Sequence, residues 1–283
     1  WSILFKTLGF LYLFVVLFLA AGWFEGDGVS IKEHTALIDL QGVIAADQAS
    51  ADSVIGSLQG AFEDKKTKGV VLRINSPGGS PVQAGQIYDE IKRLKVLHPK
   101  TPLYAVVDDI CASGGYYVAA GADKIFVDKA SIVGSIGVLM DGFGFTQTMQ
   151  KLGVERRLLT AGENKGFLDP FSPVDPKHEA FARQMLEEIH AQFIAVVREG
   201  RGKRLKETPE MFSGLVWSGE KSIELGLADG LGNVESVARD VIKAEEIVDY
   251  TRQDSLVERL AGRLGATMAK AWSPFDKAGV SLR

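Results

Sequence analysis

Ile74-Asn75-Ser76-Pro77-Gly78-Gly79-Ser80 and Cys111-Ala112-Ser113-Gly114-Gly115-Tyr116-Tyr117 decide the reading of this 283-residue chain. Each follows a short apolar run with the composition of a buried strand, Val70-Val71-Leu72 in one case and Leu103-Tyr104-Ala105-Val106-Val107 in the other. Each precedes a stretch with helical spacing. Two strand–turn–helix units therefore present backbone N–H groups at their turns, and the second carries a serine there. A hydroxyl on a sharp turn beside amide donors aimed at an oxyanion is the equipment of acyl transfer.

The same alternation runs outward from these two units. Strands are predicted over 35–40, 124–127 and 155–159. Helices are predicted over 51–62, 83–97, 178–197, 220–225 and 234–244, with a terminal amphipathic helix over 256–271. Strands alternating with helices imply an α/β fold with a parallel sheet and crossover helices. Hydrophobic residues make up 46% of the chain, enough for a sizeable core.

The formal charge of -4 argues against a nucleic-acid binder. A basic group, Arg198, Arg201, Lys203, Arg204 and Lys206, reads as a solvated helix end. Cys111 stands alone, so no intrachain disulfide forms, and its place at the end of an apolar strand reads as packing. Asp39, Asp108, Asp109 and Asp123 fall at strand ends and turns rather than in a metal-ligand pattern. No metal or cofactor is called for.

Residues 7–24 are uncharged and dense in Leu, Phe and Val, and with Ile3, Leu4 and Phe5 they reach the roughly 20 residues that span a bilayer. Lys6 before the stretch and Glu25 and Asp27 after it favour a cytoplasmic N-terminus. A cleaved signal peptide is the competing reading. The expected organisation is an N-terminal transmembrane anchor and flank over 1–28, a catalytic domain over 29–248 and a helical tail over 249–283. A retained anchor then implies a single-pass protein of the cell membrane with its catalytic domain on the periplasmic or extracellular side.

Ser113 is the best nucleophile candidate, lying between Ala112 and Gly114, residues small enough for close substrate approach. The N–H of Gly114 is placed for an oxyanion, with Gly79 as a second donor. The competing reading is that Ser113 is an ordinary helix N-cap. The four histidines, His34, His98, His178 and His190, fall outside the glycine-rich turns and read as surface residues, so a Ser-His-Asp triad is poorly supported. A Ser-Lys pair remains. Lys165 is the lysine of interest, in the irregular, part-apolar segment Ala161-Gly162-Glu163-Asn164-Lys165-Gly166-Phe167-Leu168. Burial beside Phe167, Leu168 and Phe171 would favour its neutral form, as a general base requires. A surface-loop lysine is the alternative.

Segments 74–80, 112–117, 131–138 and 161–165, with Val216-Trp217-Ser218-Gly219-Glu220 and Gly226-Leu227-Ala228-Asp229, together resemble the signal peptide peptidase A family, in its short single-anchor form. The resemblance implies a Clp/crotonase-like spiral of β-β-α units and a homo-oligomeric ring. It implies Ser113 as nucleophile, Lys165 as general base and Ser135 as the residue orienting that lysine. Oxyanion donors map to Gly79 and Gly114, and an extended substrate is expected to pair beside Ser80 and along Ile136, Gly137 and Val138. A Clp-type enzyme would carry a histidine about 25 residues after the serine, and Val138 stands there instead. The implied substrates are remnant signal peptides and other short hydrophobic segments at the membrane, with lipid contacted through the N-terminal helix. Three alternatives stand beside this reading: a silent membrane scaffold of the same fold, a protease for one specific membrane protein, and an acyl-CoA enzyme using the same oxyanion turns.

Overall fold

A computed structural model describes residues 32–252, together with Thr7, Tyr12 and Leu13. The expected anchor, apart from these three residues, and the expected helix over 256–271 lie outside the described residues. No helix among the described residues is long and apolar enough to cross a membrane.

The strands are β1 (His34–Gln41), β2 (Thr67–Ser76), β3 (Leu103–Ala112), β4 (Lys124–Val127), β5 (Ile132–Gly134), β6 (Val216–Ser218), β7 (Gly230–Leu231) and β8 (Ile247–Asp249). They form one sheet in the order β6-β5-β3-β2-β1-β8, with β4 paired to β3 and β7 to β4. All pairings are parallel except β5 with β6. The helices are α1 (Ala51–Glu63), α2 (Pro81–Leu97), α3 (Gly114–Ala119), α4 (Thr146–Lys151), α5 (Pro176–Arg201), α6 (Gly219–Glu224) and α7 (Val234–Ser236), the last continuing as a π-helical turn over Val237–Ile242. This is the mixed α/β fold with a parallel sheet that the alternation implied. The packed unit runs on past β8: Tyr250 donates to Asp64 at 2.6 Å, and the Arg252 N–H to Ser57 at 2.9 Å.

Strand alternation sorts the side chains onto two faces. Ile38, Leu40, Val70, Leu72, Ile74, Ala105 and Val107 point into the main core, beneath α1, α2 and α3. Leu37, Val71 and Val106 point the other way, onto Val234 and Val237 of the C-terminal turn. Helix α2 contributes Ala84, Ile87, Ile91 and Leu94, all buried and three or four residues apart, which puts them on one face. Ser80 caps it by accepting from the Gln83 N–H, and Pro81 sits in its first turn, where a missing N–H costs nothing.

Strand β3 forks. Its first half, Tyr104 to Val106, pairs with β4, and its last three residues, Ile110 to Ala112, pair with β5. The register slips between Ile74 and Ser76 of β2, at the level of Asp108 and Asp109. The fork carries the end of β3 away from β4 and sets Ser113 between the glycine turn after β2 and the chain after β5.

Several expectations are corrected. Residues 155–159 form no strand; they are exposed chain, because no partner edge lies beside them. His34 is fully buried rather than superficial: its ring stacks on Tyr250, Nδ1 donates to the Lys32 carbonyl, and Nε2 lies 3.0 Å from the Tyr250 hydroxyl. Arg201, expected on a solvated helix end, is also buried, donating to the Gly226 carbonyl at 2.8 Å and to Asp229 at 2.9 Å. Sequence periodicity cannot register such pairings, because Asp229 is far along the chain.

Candidate active site

Ser113 occupies the N-cap position of α3, but its hydroxyl makes no capping bond. Its backbone is left-handed, with φ 52°, a conformation that costs a non-glycine residue of order 1–3 kcal/mol. Two backbone bonds hold it there: its N–H donates to the Gly134 carbonyl at 2.8 Å, and its carbonyl accepts from Tyr117 at 2.9 Å. Other helix-capping residues here, Ser50, Ser80, Asp175 and Ser218, all accept a backbone N–H through the side chain. The N-cap reading of Ser113 therefore accounts for its position and not for its hydroxyl, which faces a cavity of about 530 Å³.

The glycine turn after β2 closes on this serine. A Cβ on Gly78, whose φ is +100°, would sit 2.7 Å from both the Gly114 nitrogen and the Ser113 Cβ. A Cβ on Gly79, with φ +148°, would collide with the Ile44 backbone, to which Gly79 is bridged. Both positions demand glycine, and the close approach brings the Gly79 N–H beside Gly114: a Cβ on Gly114 would lie 3.3 Å from the Gly79 nitrogen. Among the described residues neither the Gly79 nor the Gly114 amide has an acceptor. Two unengaged N–H groups thus flank a free hydroxyl, the geometry that holds a developing oxyanion.

Ser135 lies across the same cavity. It too has φ 52°, and its N–H donates to the Leu215 carbonyl at 2.8 Å. The chain then makes a tight turn in which the Gly137 N–H donates to the Ser135 carbonyl at 2.9 Å. Gly137 and Val138 line the cavity, while the Ile136 side chain is buried beneath it. Ala84, Tyr117 and the α5 residues Ile189, Gln192 and Phe193 also line it, a largely apolar group with Gln192 as its amide. Ser80 is half-buried and uses its hydroxyl as the α2 cap, outside this lining. Cys111 is fully buried, and burial pushes its thiol well above the ordinary range, so it takes no nucleophilic part.

Lys165 stands apart. It is exposed, contrary to the burial expected beside Phe167, Leu168 and Phe171, and it is absent from the cavity lining. Its neighbours dock on the N-terminal end of α5: Asn164 lies 3.1 Å from the His178 ring nitrogen, and Phe167 packs on His178 and Phe181. Ile189, which lines the cavity, is three turns further on, roughly 16 Å along the helix at 1.5 Å per residue. One protomer therefore brings together Ser113, Ser135, Gly79, Gly114, Gly137 and Val138, and leaves Lys165 outside.

One residue at the site escaped sequence reading. His190, expected at the surface, is half-buried on the core-facing stripe of α5 with Phe193 and Val197, and its Nε2 lies 3.1 Å from the Ile136 carbonyl. The signal was present in its spacing: His190, Phe193 and Val197 are three and four residues apart.

Comparison with known proteins agrees with this architecture. Residues 95–248 match peptidase family S49, and residues 32–133 match the Clp protease family. The chain is 47% identical over 190 residues to a Na(+)/H(+) antiporter NhaA of Brucella abortus (strain 2308), covering 67% of this chain and 26% of that protein. It therefore spans about a quarter of that relative's length. A putative protease, slr0021, of Synechocystis sp. is 29% identical over 264 residues, 87% of this chain and 93% of its own. A putative signal peptide peptidase SppA of Enterococcus faecium is 30% identical over 234 residues, 80% of this chain and 67% of its own. With the S49 match extending over more than half of its length, the chain belongs to peptidase family S49, the family of signal peptide peptidase A.

Proposed function

We propose that this protein is a membrane-anchored serine endopeptidase with a Ser-Lys dyad, cleaving remnant signal peptides and other short hydrophobic segments at the membrane. The observation that carries the reading is Ser113: a strained serine whose hydroxyl is left uncapped, lining a largely apolar cavity beside two unengaged amides. Neutral Lys165 takes the hydroxyl proton as the Ser113 oxygen attacks the scissile carbonyl. The Gly79 and Gly114 N–H groups hold the oxyanion, Lys165 returns the proton to the leaving amine, and water then cleaves the acyl-enzyme. Strand β3 stops at Ala112 while the flanking chains run on through Gly79 and through Gly137, so an extended peptide fits in line with β3.

Because Lys165 is exposed within one protomer, its place in the dyad is supplied by assembly: the segment of one copy closes on the Ser113 cavity of another. The exposed apolar residues of that segment, Leu139, Phe143, Leu152, Leu159 and Val174 among them, suit such burial. The N-terminal stretch anchors the ring in the cell membrane with the catalytic domains on the periplasmic or extracellular side.

The test is cleavage of a fluorogenic peptide containing leucine and alanine by the full chain in detergent. Wild type is compared with Ser113→Ala and Lys165→Ala. Loss in both variants supports the dyad; equal activity in all three removes it, and no cleavage by wild type favours the scaffold alternative.

A further inference from the structure

We infer that His190 is a positioning residue of this active site, clamping the strained Ser135 turn through the Ile136 carbonyl. The inference rests on the serine-peptidase reading for its catalytic consequence and on geometry for the clamp itself.

Ser135 has φ 52°, and a residue with a Cβ stays in that region only where its surroundings over-determine it. On the N-terminal side of its Cα, the Ser135 N–H is tied to the Leu215 carbonyl at 2.8 Å. On the other side the peptide unit to Ile136 is tied by the Gly137 N–H, which donates to the Ser135 carbonyl at 2.9 Å. That bond holds the next peptide unit, Ile136–Gly137, by its N–H end alone. The Ile136 carbonyl closes the arrangement by accepting from His190 at 3.1 Å. A carbonyl only accepts, so Nε2 carries the proton in this contact.

His190 reaches the turn from a different element. It lies on α5 between Ile189 and Phe193, which wall the same cavity. The bond therefore fixes the helix that forms one wall to the turn that forms the other. Ser113 is tied to this turn as well, since its N–H donates to the Gly134 carbonyl immediately before Ser135. A lost clamp would let the Ser135 hydroxyl, and the peptide-pairing edge at Gly137 and Val138, drift from register with Ser113.

Two variants separate the hydrogen bond from mere packing. His190→Phe keeps a ring of similar size and removes the donor; His190→Gln restores an N–H donor. In peptide cleavage by the full chain, His190→Phe is expected to lower kcat by about tenfold or more. KM should change by less than about threefold, and His190→Gln should recover most of the loss. Backbone amide exchange across 134–138, followed by mass spectrometry, should quicken in His190→Phe and return toward wild type in His190→Gln. Equal exchange in all three proteins overturns the clamp, as does equal damage from both substitutions. The exchange measurement needs no turnover. An inactive wild type would therefore overturn the peptidase reading while exchange still decides whether His190 holds the turn.

Discussion

Ser113 and Lys165 sit in surroundings that differ in burial, hydrogen bonding and shape. Ser113 lies where β2, β3 and β5 converge, its backbone bonded on both sides and its neighbours Gly114, Gly115 and Tyr116 buried. Lys165 lies on a long excursion between β5 and α5, exposed, on a turn closed by a backbone bond from its own N–H to the Gly162 carbonyl. The excursion carries large apolar side chains into solvent: Leu159 is 96% exposed, and Phe143 80%. The sheet brings Ser113, Gly79, Gly114 and Ser135, the proposed nucleophile, oxyanion donors and orienting serine, together inside one protomer. The proposed base, Lys165, is carried on a surface rich in exposed apolar side chains.

The largest effect tests whether that division is real. Ser113→Ala and Lys165→Ala are each expected to lower peptide cleavage by at least about 10³-fold. If the dyad forms between copies, mixing the two inactive proteins under conditions of subunit exchange restores cleavage. A mixture as inactive as its components would place both members in one protomer and undo the contrast between sheet and excursion.

How much of this was legible follows from the physics of each part. Apolar runs and helical spacing are local, so β1 to β4, α1, α2 and α5 were visible in sequence within a few residues. The serine turn was visible because Ala-Ser-Gly-Gly after a strand is a local pattern. The left-handed backbone of Ser113 and Ser135 was not, since bonds to Gly134 and Leu215 impose it from elsewhere in the chain. Residues 155–159 read as a strand, but the structure gives them no edge to join. The burial of His34 is made by Tyr250, far along the chain, which a single sequence does not display; the half-buried side of His190 is legible in its helical spacing with Phe193 and Val197, but its acceptor, the Ile136 carbonyl, is not.

Within the sheet, the glycine turn sets the next prediction. Gly78→Ala introduces a methyl 2.7 Å from the Gly114 nitrogen and the Ser113 Cβ. One of the three must move, and each belongs to the proposed machinery. Cleavage should fall by about 10²–10³-fold, the typical cost of losing one oxyanion donor, while the oligomer persists in size-exclusion chromatography. Activity near wild type would mean that the turn tolerates displacement and that this half of the site is not preorganised.

A buried pair far from the chemistry gauges how firmly the protomer holds its frame. Burial would raise the Asp229 carboxyl, but Arg201, the Ile125 N–H and Arg204 hold it below the usual carboxylate range. Its stabilisation is therefore present above the unfolded carboxylate pKa and lost as pH falls through the depressed value. Arg201→Met should destabilise by about 3 kcal/mol at neutral pH, lowering Tm by roughly 6–12 °C. The gap from wild type should narrow as pH falls below the ordinary carboxylate value, where the unfolded chain takes up a proton that Asp229, paired with Arg201 in the wild type, resists. Thermal melts at several pH values check the sign; a gap that widens in acid would assign the stabilisation elsewhere.

The smallest expected effect on the protomer bears most directly on the excursion. Leu159 touches solvent over almost all its surface, so Leu159→Asp should change protomer stability by less than about 0.5 kcal/mol. If that surface is covered by a second copy, the same substitution forfeits the burial of a leucine side chain, about 1.5–3 kcal/mol. Each 1.4 kcal/mol is tenfold in affinity, so assembly should weaken by at least about tenfold. Cleavage per subunit should then depend on concentration, low when dilute and recovering as protein is added. That pairing of an unchanged melt with concentration-dependent activity distinguishes a partner surface from a merely irregular loop. An assembly and activity indifferent to Leu159→Asp would leave the apolar excursion without a role, and the lysine it carries would have to reach Ser113 by refolding the excursion within its own protomer.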